Sequence, residues 1–339
     1  MPSESEIISK VRRGARRTDG VVVGIGDDAA VVRAGSGNDL IACCDLMVEG
    51  VHFRREWATP KLIGRKALAV TLSDVAAMGA VARFAMISVA LPRDCSSEFV
   101  DGLFEGIFEM ADSYDVSIVG GDTSSSRDSL FIDTTVIGEC ETGRAITRGG
   151  AGIGDVIYVT GDLGASALGL KLLGQGVRLG DCEPASSDES VENMRREALM
   201  KHLAPLPGLG LARAIGERRL ASAMIDISDG LSTDLSHILD ESGVGAVIQA
   251  GAIPIARSVE SHSAGESNLD SLELALHGGE EYELLFTSRP ECGARVDELS
   301  RELGVRLSSI GQIVAEEGLH LDCDGSRRLI QPAGYEHRI

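Results

Sequence analysis

Apolar residues recur along the chain with two periods, and the switches between them predict its elements. Residues 5–17 set Ile7, Ile8 and Val11 on one side against Arg12, Arg13, Arg16 and Arg17, the pattern of a surface helix with a solvated basic face. Short β-prone runs follow at 21–23, 29–32 and 40–44, separated by Gly, Asn and Asp turns. Thr59-Pro60 has the N-cap and first-turn arrangement of a helix start, and Ile63, Ala67 and Val70 carry that helix toward Ser73-Asp74. A strand at 84–91 precedes a helix at 97–113, in which Phe99, Val100, Leu103, Phe104, Ile107 and Met110 recur at helical spacing. A strand at 117–119, a turn Gly120-Gly121-Asp122-Thr123 and a β-rich run at 130–137 complete the first half.

The glycine-rich stretch 147–154 predicts a domain boundary, after which the pattern restarts with a strand at 156–160. Gly161-Asp162-Leu163-Gly164 turns into a helix running through Leu172, and 180–190 reads as an exposed acidic loop. A helix at 205–219, a strand at 224–227 and a helix at 231–239 stopped by Gly243 follow. Strands are expected to bracket Gly278-Gly279-Glu280-Glu281, and 321–329 reads as a hairpin around Asp324-Gly325.

Composition narrows the function. The 339 residues include 32 Lys and Arg against 52 Asp and Glu, a net charge of −20, which makes a poor partner for nucleic acid. A polyanionic ligand would need help, most simply from a divalent cation. With 43% hydrophobic and 25% charged residues the chain should fold, and its length suggests two domains. The 41 glycines and 4% aromatics predict an aliphatic core with many tight turns. No apolar run approaches the roughly 20 residues of a membrane span, and the N-terminus lacks a signal-peptide pattern, so no membrane partner and a cytoplasmic location are expected. Seven cysteines without a Cys-x-x-Cys read as reduced thiols.

The carboxylates carry the chemistry. Gly26-Asp27-Asp28, Cys44-Asp45, Ser73-Asp74, Gly121-Asp122 and Asp226-Ile227-Ser228-Asp229-Gly230 place acids in turns beside apolar segments. One such turn is ordinary, and Asp322-Cys323-Asp324-Gly325 is read as a plain hairpin turn. Five that converge would repel one another unless a cation sat among them, and Mg²⁺ suits a few carboxylates together with substrate phosphates. The P-loop, the dinucleotide fingerprint, the kinase His-Arg-Asp loop and the His-Glu-x-x-His helix are all missing from the sequence. Any ATP cradle would have to use backbone N–H groups of Gly turns and helix starts, with Arg148 adding a direct charge.

Six blocks in order carry a resemblance: 26–31 (GDDAAV), 45–53 (DLMVEGVHF), 73–80 (SDVAAMGA), 120–123 (GGDT), 226–231 (DISDGL) and 278–284 (GGEEYEL). On these the chain resembles the thiamine-monophosphate kinase family, over nearly its whole length. The resemblance implies a two-domain synthetase-like fold of α/β (α+β) class: residues 1–147 as an ATP/Mg-binding N-terminal domain forming a dimer β-barrel flanked by helices, and 148–339 as a C-terminal α/β domain completing the site. It implies ATP-dependent phosphorylation of thiamine monophosphate to thiamine diphosphate, several Mg²⁺ ions and a homodimer. By position, Asp28, Asp45, Asp74, Asp122 and Asp226 match ligands of a shared Mg²⁺ cluster and Asp229 the ligand of a further ion, with Cys43 and Cys44 standing where the family usually has two hydroxyl residues near the metal. Phe104, Gly121, Asp122, Arg148 and Ser228 match ATP-contact positions, and His52, Glu280 and Tyr335 acceptor-contact positions. Glu281 departs from the family, where Asp is usual.

Thiols are weak ligands for Mg²⁺, so Cys43 and Cys44 would serve through backbone carbonyls if at all. No general base is expected, because a phosphate monoester oxygen is already ionised. The same superfamily fold acting on another acceptor, and a nucleotide-binding sensor without turnover, are the alternatives that the sequence leaves.

Overall fold

The computed structural model describes residues 21–23, 27–33, 37–182, 190–265 and 270–336. The expected helix at 5–17, the core of the loop at 180–190 and Gly26 lie outside them. Two sheets organise the rest. The first joins β1 (Val21–Val23), β2 (Ala30–Val32), β3 (Asn38–Val48), β4 (Val81–Leu91), β5 (Ser117–Ser125) and β6 (Phe131–Glu141) in the order β1-β2-β3-β6-β4-β5. Only its β4–β5 pair is parallel. It is an open sheet among the described residues, with no closed barrel.

Helix α1 (Pro60–Ala77) covers one face of this sheet, packing on β3 and β6. Thr59 caps it by accepting from Leu62 N at 3.3 Å, Pro60 sits where the lost N–H has no intrahelical partner, and nearly every other residue is buried. From Lys66 to Ala77 every residue but Asp74 is buried, so this stretch must be enclosed on all sides. Helix α2 (Ser97–Ser113) closes one side, so tightly that a Cβ on Gly64 would lie 1.9 Å from the Leu103 carbonyl oxygen and one on Gly106 1.9 Å from that of Lys61. The predicted bounds of α2 coincide with the observed ones.

The second sheet runs β13-β12-β9-β11-β7-β10-β8, from β7 (Val156–Thr160), β8 (Ala223–Asp226), β9 (Gly245–Gln249), β10 (Leu284–Ser288), β11 (Leu307–Val314), β12 (Gly318–Cys323) and β13 (Ser326–Ile330). β12 and β13 form the expected hairpin, with Asp324 and Gly325 both at positive φ. Helices α3 (Ala165–Gly174), α4 (Val191–Leu203), α7 (Arg257–Gly265) and α8 (Ser271–His277) share a separate core around Leu168, Leu172, Leu199 and Val259. Helix α5 (Leu209–Glu217) meets α1, α6 (Leu231–Ser242) packs on β8, β10 and β12, and α9 (Gly293–Leu303) lies against β11. One apolar core runs from Ile41 and Leu72 across to Leu209, Ile215 and Phe286, so the two halves are welded rather than tethered.

Four expectations are corrected. Asp74 does not follow α1 but sits in its last turn. Residues 120–123 are not a turn: they continue β5, whose parallel pairing with β4 satisfies the backbone. The segment before Gly278 is helix α8, not a strand. The 205–219 helix starts only at Leu209, because Pro205 and Pro207 bias their predecessors to extended backbone. Helix α4 went unpredicted, since its apolar residues Ala198, Leu199 and Leu203 crowd into its last two turns.

Candidate active site

Three chain segments bring carboxylates to one point. Asp28 lies just before β2, Asp74 in the last turn of α1, and Asp226 at the end of β8; one oxygen from each falls within 4.8 Å of the others. Asp45, in the middle of β3, lies near enough for its charge to act on Asp74 and for that of Asp28 to act on it. Burial, then the charges of Asp45, Asp226 and Asp28, pushes the Asp74 carboxyl well above its ordinary range. A place at the helix C-terminus adds to the penalty. Burial and Asp28 likewise raise Asp226, although the Ser73 hydroxyl donates to its Oδ2 at 2.6 Å.

Among the described residues the cation paired with this group is Arg148, whose Nη2 donates to Asp28 Oδ1 at 2.6 Å while its backbone N–H donates to Asp27 Oδ2 at 3.1 Å. Burial and the neighbouring Asp28 raise Asp27 to about 6. Asp28 Oδ2, Asp45 Oδ2 and Arg148 Nε are buried without a hydrogen-bond partner among the described residues. Buried oxygens so oriented are what a hard divalent cation would satisfy, and this donor set fits Mg²⁺.

The second cluster gathers around Glu280. The 278–283 loop lies backbone to backbone on 226–230: Glu280 N–H donates to Ser228 O at 2.7 Å and Tyr282 N–H to Ile227 O at 2.8 Å. Close approach makes the glycines obligatory, since a Cβ on Gly279 would lie 2.6 Å from Ser228 O. Glu280 itself adopts φ 60°, unusual for a residue other than Gly. Its Oε1 meets Lys66 Nζ at 2.7 Å and its Oε2 meets His202 Nδ1 at 3.2 Å. Burial alone would raise this carboxyl, but Lys66, His202 and His52 together hold it below its ordinary value. Burial and Lys66 lower His202 to about 3, so its imidazole is neutral. Between the clusters stands buried Tyr282, raised well above its ordinary value by burial and by the fields of Glu280, Asp45, Asp226 and Asp74.

Glu281 points the other way. It is buried, its Oε1 accepts from Gly164 N at 2.8 Å and Ser166 N at 3.0 Å at the start of α3, and its Oε2 has no hydrogen-bond partner among the described residues. Burial raises it to about 7.

The remaining positions scatter. His52 Nδ1 accepts from Val48 N at 3.0 Å and lines a narrow cleft with Lys66 and His202, beside Glu280. Tyr335 is tied to the 226–230 turn through its N–H to Asp229 O at 3.0 Å. Asp229 lies within reach of Asp234 and His237 in a separate group of potential ligands. Asp122, exposed on β5 opposite Ser88, stands apart from the Asp28–Asp74–Asp226 group. Gly121 has a packing reason for its identity, a Cβ there falling 1.8 Å from Ile87 O. Phe104 lies on α2, its ring 6.0 Å from that of Phe108. The Cys43 thiol is buried and donates to Thr71 O at 3.4 Å, whereas Cys44 is exposed on the opposite face of β3. Sequence reasoning missed Lys66, His202, Tyr282 and Asp234; the one visible signal was Lys66, a charge inside an apolar helix.

Comparisons with known proteins identify the chain's relatives. The family model described as AIR synthase related protein, N-terminal domain, matches residues 26–140, and its C-terminal counterpart matches 152–324. The chain is 34% identical to a thiamine-monophosphate kinase of Bacillus subtilis, covering 98% of this chain and 99% of the relative. It is 36% identical to one from Escherichia coli (strain K12), covering 94% and 92%. Among solved structures, one described as AaThiL complexed with AMPPCP and TMP superposes with a TM-score of 0.84 at 30% identity, covering 99% of this chain and 97% of that one.

Proposed function

The chain belongs to the thiamine-monophosphate kinase family within the AIR synthase related proteins and is a kinase, and from that membership we propose that it phosphorylates thiamine monophosphate to thiamine diphosphate with ATP. The observation that carries the reading is the group formed by Asp28, Asp74 and Asp226, drawn from both halves of the chain. With Asp45 it would hold Mg²⁺ ions, which when bound supply charge neutralisation between the donor and acceptor phosphates. Asp122 would join them only from the exposed side of β5, and Asp229, with Asp234 and His237, would hold a further ion.

In this reading Arg148, Ser228 and the Gly121-Asp122 backbone position ATP, and Phe104 offers its base an aromatic surface. Glu280 and His52 hold the thiamine end of the acceptor, with Tyr335 stacking from the C-terminal segment. No residue need remove a proton, because the attacking phosphate oxygen is already anionic; the protein contributes alignment and electrostatics. Cys43 and Cys44 would contribute backbone carbonyls, since the Cys43 thiol is engaged and burial keeps it protonated.

Dimerisation belongs to the same proposal. Leu46, Phe84 and Val119, each 46–58% exposed, stud the face of the first sheet opposite α1, and a second copy laid on that face would close a barrel from the two open sheets. Seven free thiols suit the reducing cytoplasm.

The test is to incubate the purified protein with ATP, MgCl₂ and thiamine monophosphate and to follow thiamine diphosphate and ADP by chromatography. Equal, EDTA-sensitive formation of both products is expected. ATP binding by folded protein that forms no diphosphate would overturn the assignment of the acceptor.

A further inference from the structure

We propose that Lys66 is a positioning residue that sets how the acceptor is held, acting through Glu280; the inference rests on the reading of Glu280 as an acceptor-binding group. Lys66 is 2% exposed, in the middle of α1. A buried ammonium costs several kcal/mol unless it is paired, so a lysine in so apolar a helix needs a partner of opposite charge. That partner is Glu280, at 2.7 Å.

The pairing is one-sided in a way that suits presentation of a carboxylate. The side chains of Lys66 and His202 are each 3% exposed while that of Glu280 is 26% exposed. The acid is therefore backed by two buried nitrogens while part of its own surface stays open. His202 is neutral, with its Nδ1 shared between the Ser166 hydroxyl and the approach to Glu280, which leaves Lys66 as the buried ion paired with Glu280. Lys66 also reaches the His52 carbonyl at 3.5 Å, so one ammonium touches two of the three residues assigned to the acceptor. The cleft among His52, Trp57, Lys66 and His202 has about 10 Å³, room for a single water, so the group has little freedom to turn.

Helix α1 gives this arrangement a length. Lys66 and Asp74 lie on one rigid helix eight residues apart, about 12 Å along its axis at 1.5 Å per residue. One end holds the acid that would bind an aminopyrimidine and the other an acid of the phosphate-end cluster. That span matches a two-ring cation carrying its phosphate on an ethyl arm.

The experiment is a double-mutant cycle of Lys66→Met, Glu280→Gln and the pair, read in steady-state kinetics and in calorimetric binding of thiamine monophosphate. Each single variant should raise KM and Kd for thiamine monophosphate about tenfold, leave KM for ATP within about twofold, and change kcat far less than KM. The double variant should be no worse than either single one. Effects that multiply to about a hundredfold, or an unchanged KM in Lys66→Met, would overturn the proposal. If Lys66→Met does not fold by circular dichroism, Lys66→Gln takes its place, and a KM for thiamine monophosphate equal to wild type then overturns it equally. Wild-type protein that neither binds nor turns over thiamine monophosphate marks failure of the acceptor reading itself, and this inference falls with it.

Discussion

Glu281→Gln should flatten the pH dependence of stability. Its carboxyl stands near an ordinary value of 4.5 in the unfolded chain and is raised to about 7 in the fold, chiefly by burial. Between those values the folded state binds a proton that the unfolded state has lost. Stability from this group is therefore fully present below pH 4.5 and drains away as pH rises through 7. At about 1.4 kcal/mol per pH unit the loss is about 3 kcal/mol by pH 8.5. Glutamine keeps an oxygen for Gly164 N and Ser166 N but cannot ionise, so the variant loses this slope. Its new amide N–H groups, placed where Oε2 has no hydrogen-bond partner among the described residues, add a penalty on the order of 1–2 kcal/mol that is the same at every pH. Urea unfolding of both proteins in EDTA, from pH 5 to 8.5, isolates the difference. Wild type should lose about 3 kcal/mol relative to the variant across that range. Parallel curves would show that Glu281 is ionised throughout, and the argument from burial would fail.

Asp74→Asn should lower kcat by about a hundredfold or more at saturating Mg²⁺ with an unchanged near-ultraviolet circular dichroism spectrum; wild-type turnover would remove Asp74 from the metal group. His52→Ala should raise KM for thiamine monophosphate several-fold and spare that for ATP, as initial-rate kinetics would show. Gly106→Ala must push a methyl into the Lys61 carbonyl, and thermal unfolding should report a loss of about 3 kcal/mol. In analytical ultracentrifugation wild type should sediment as a dimer and Leu46→Asp, on the exposed sheet face, as a monomer; a monomeric wild type would refute the proposed dimer.

Much of the fold was legible because its signals are local. Helix α2 begins at the expected Ser97, Gly243 ends α6 in the left-handed conformation, and Asp324-Gly325 turns the last hairpin. Errors arose where tertiary pairing overrides local chemistry: two glycines and an aspartate read as a turn at 120–123, yet β4 holds them extended. The acids of the site were legible as types, since Asp beside Gly or Ser is visible in any order. Their grouping was not, because Asp28, Asp74 and Asp226 meet through the packing of α1 on β8 and α5. Lys66 and His202 were missed for a related reason. Each is isolated among apolar or mixed neighbours, and only the fold of the 278–283 loop gives them a common partner.

The hydrogen bond from Ser73 to Asp226 joins residues 153 positions apart, and that interval has a meaning in time. At 5–20 residues per second a ribosome needs about 8–30 s to pass from one to the other. Throughout that interval the emerging first half bears Asp28, Asp45 and Asp74 without the strand that completes their group, and α1 without the helix α5 that covers it. The nascent chain is thus both silent as a catalyst and sticky as a surface. Its first half must be sheltered until the second arrives, and the event that hides the apolar helix is the same one that assembles the site.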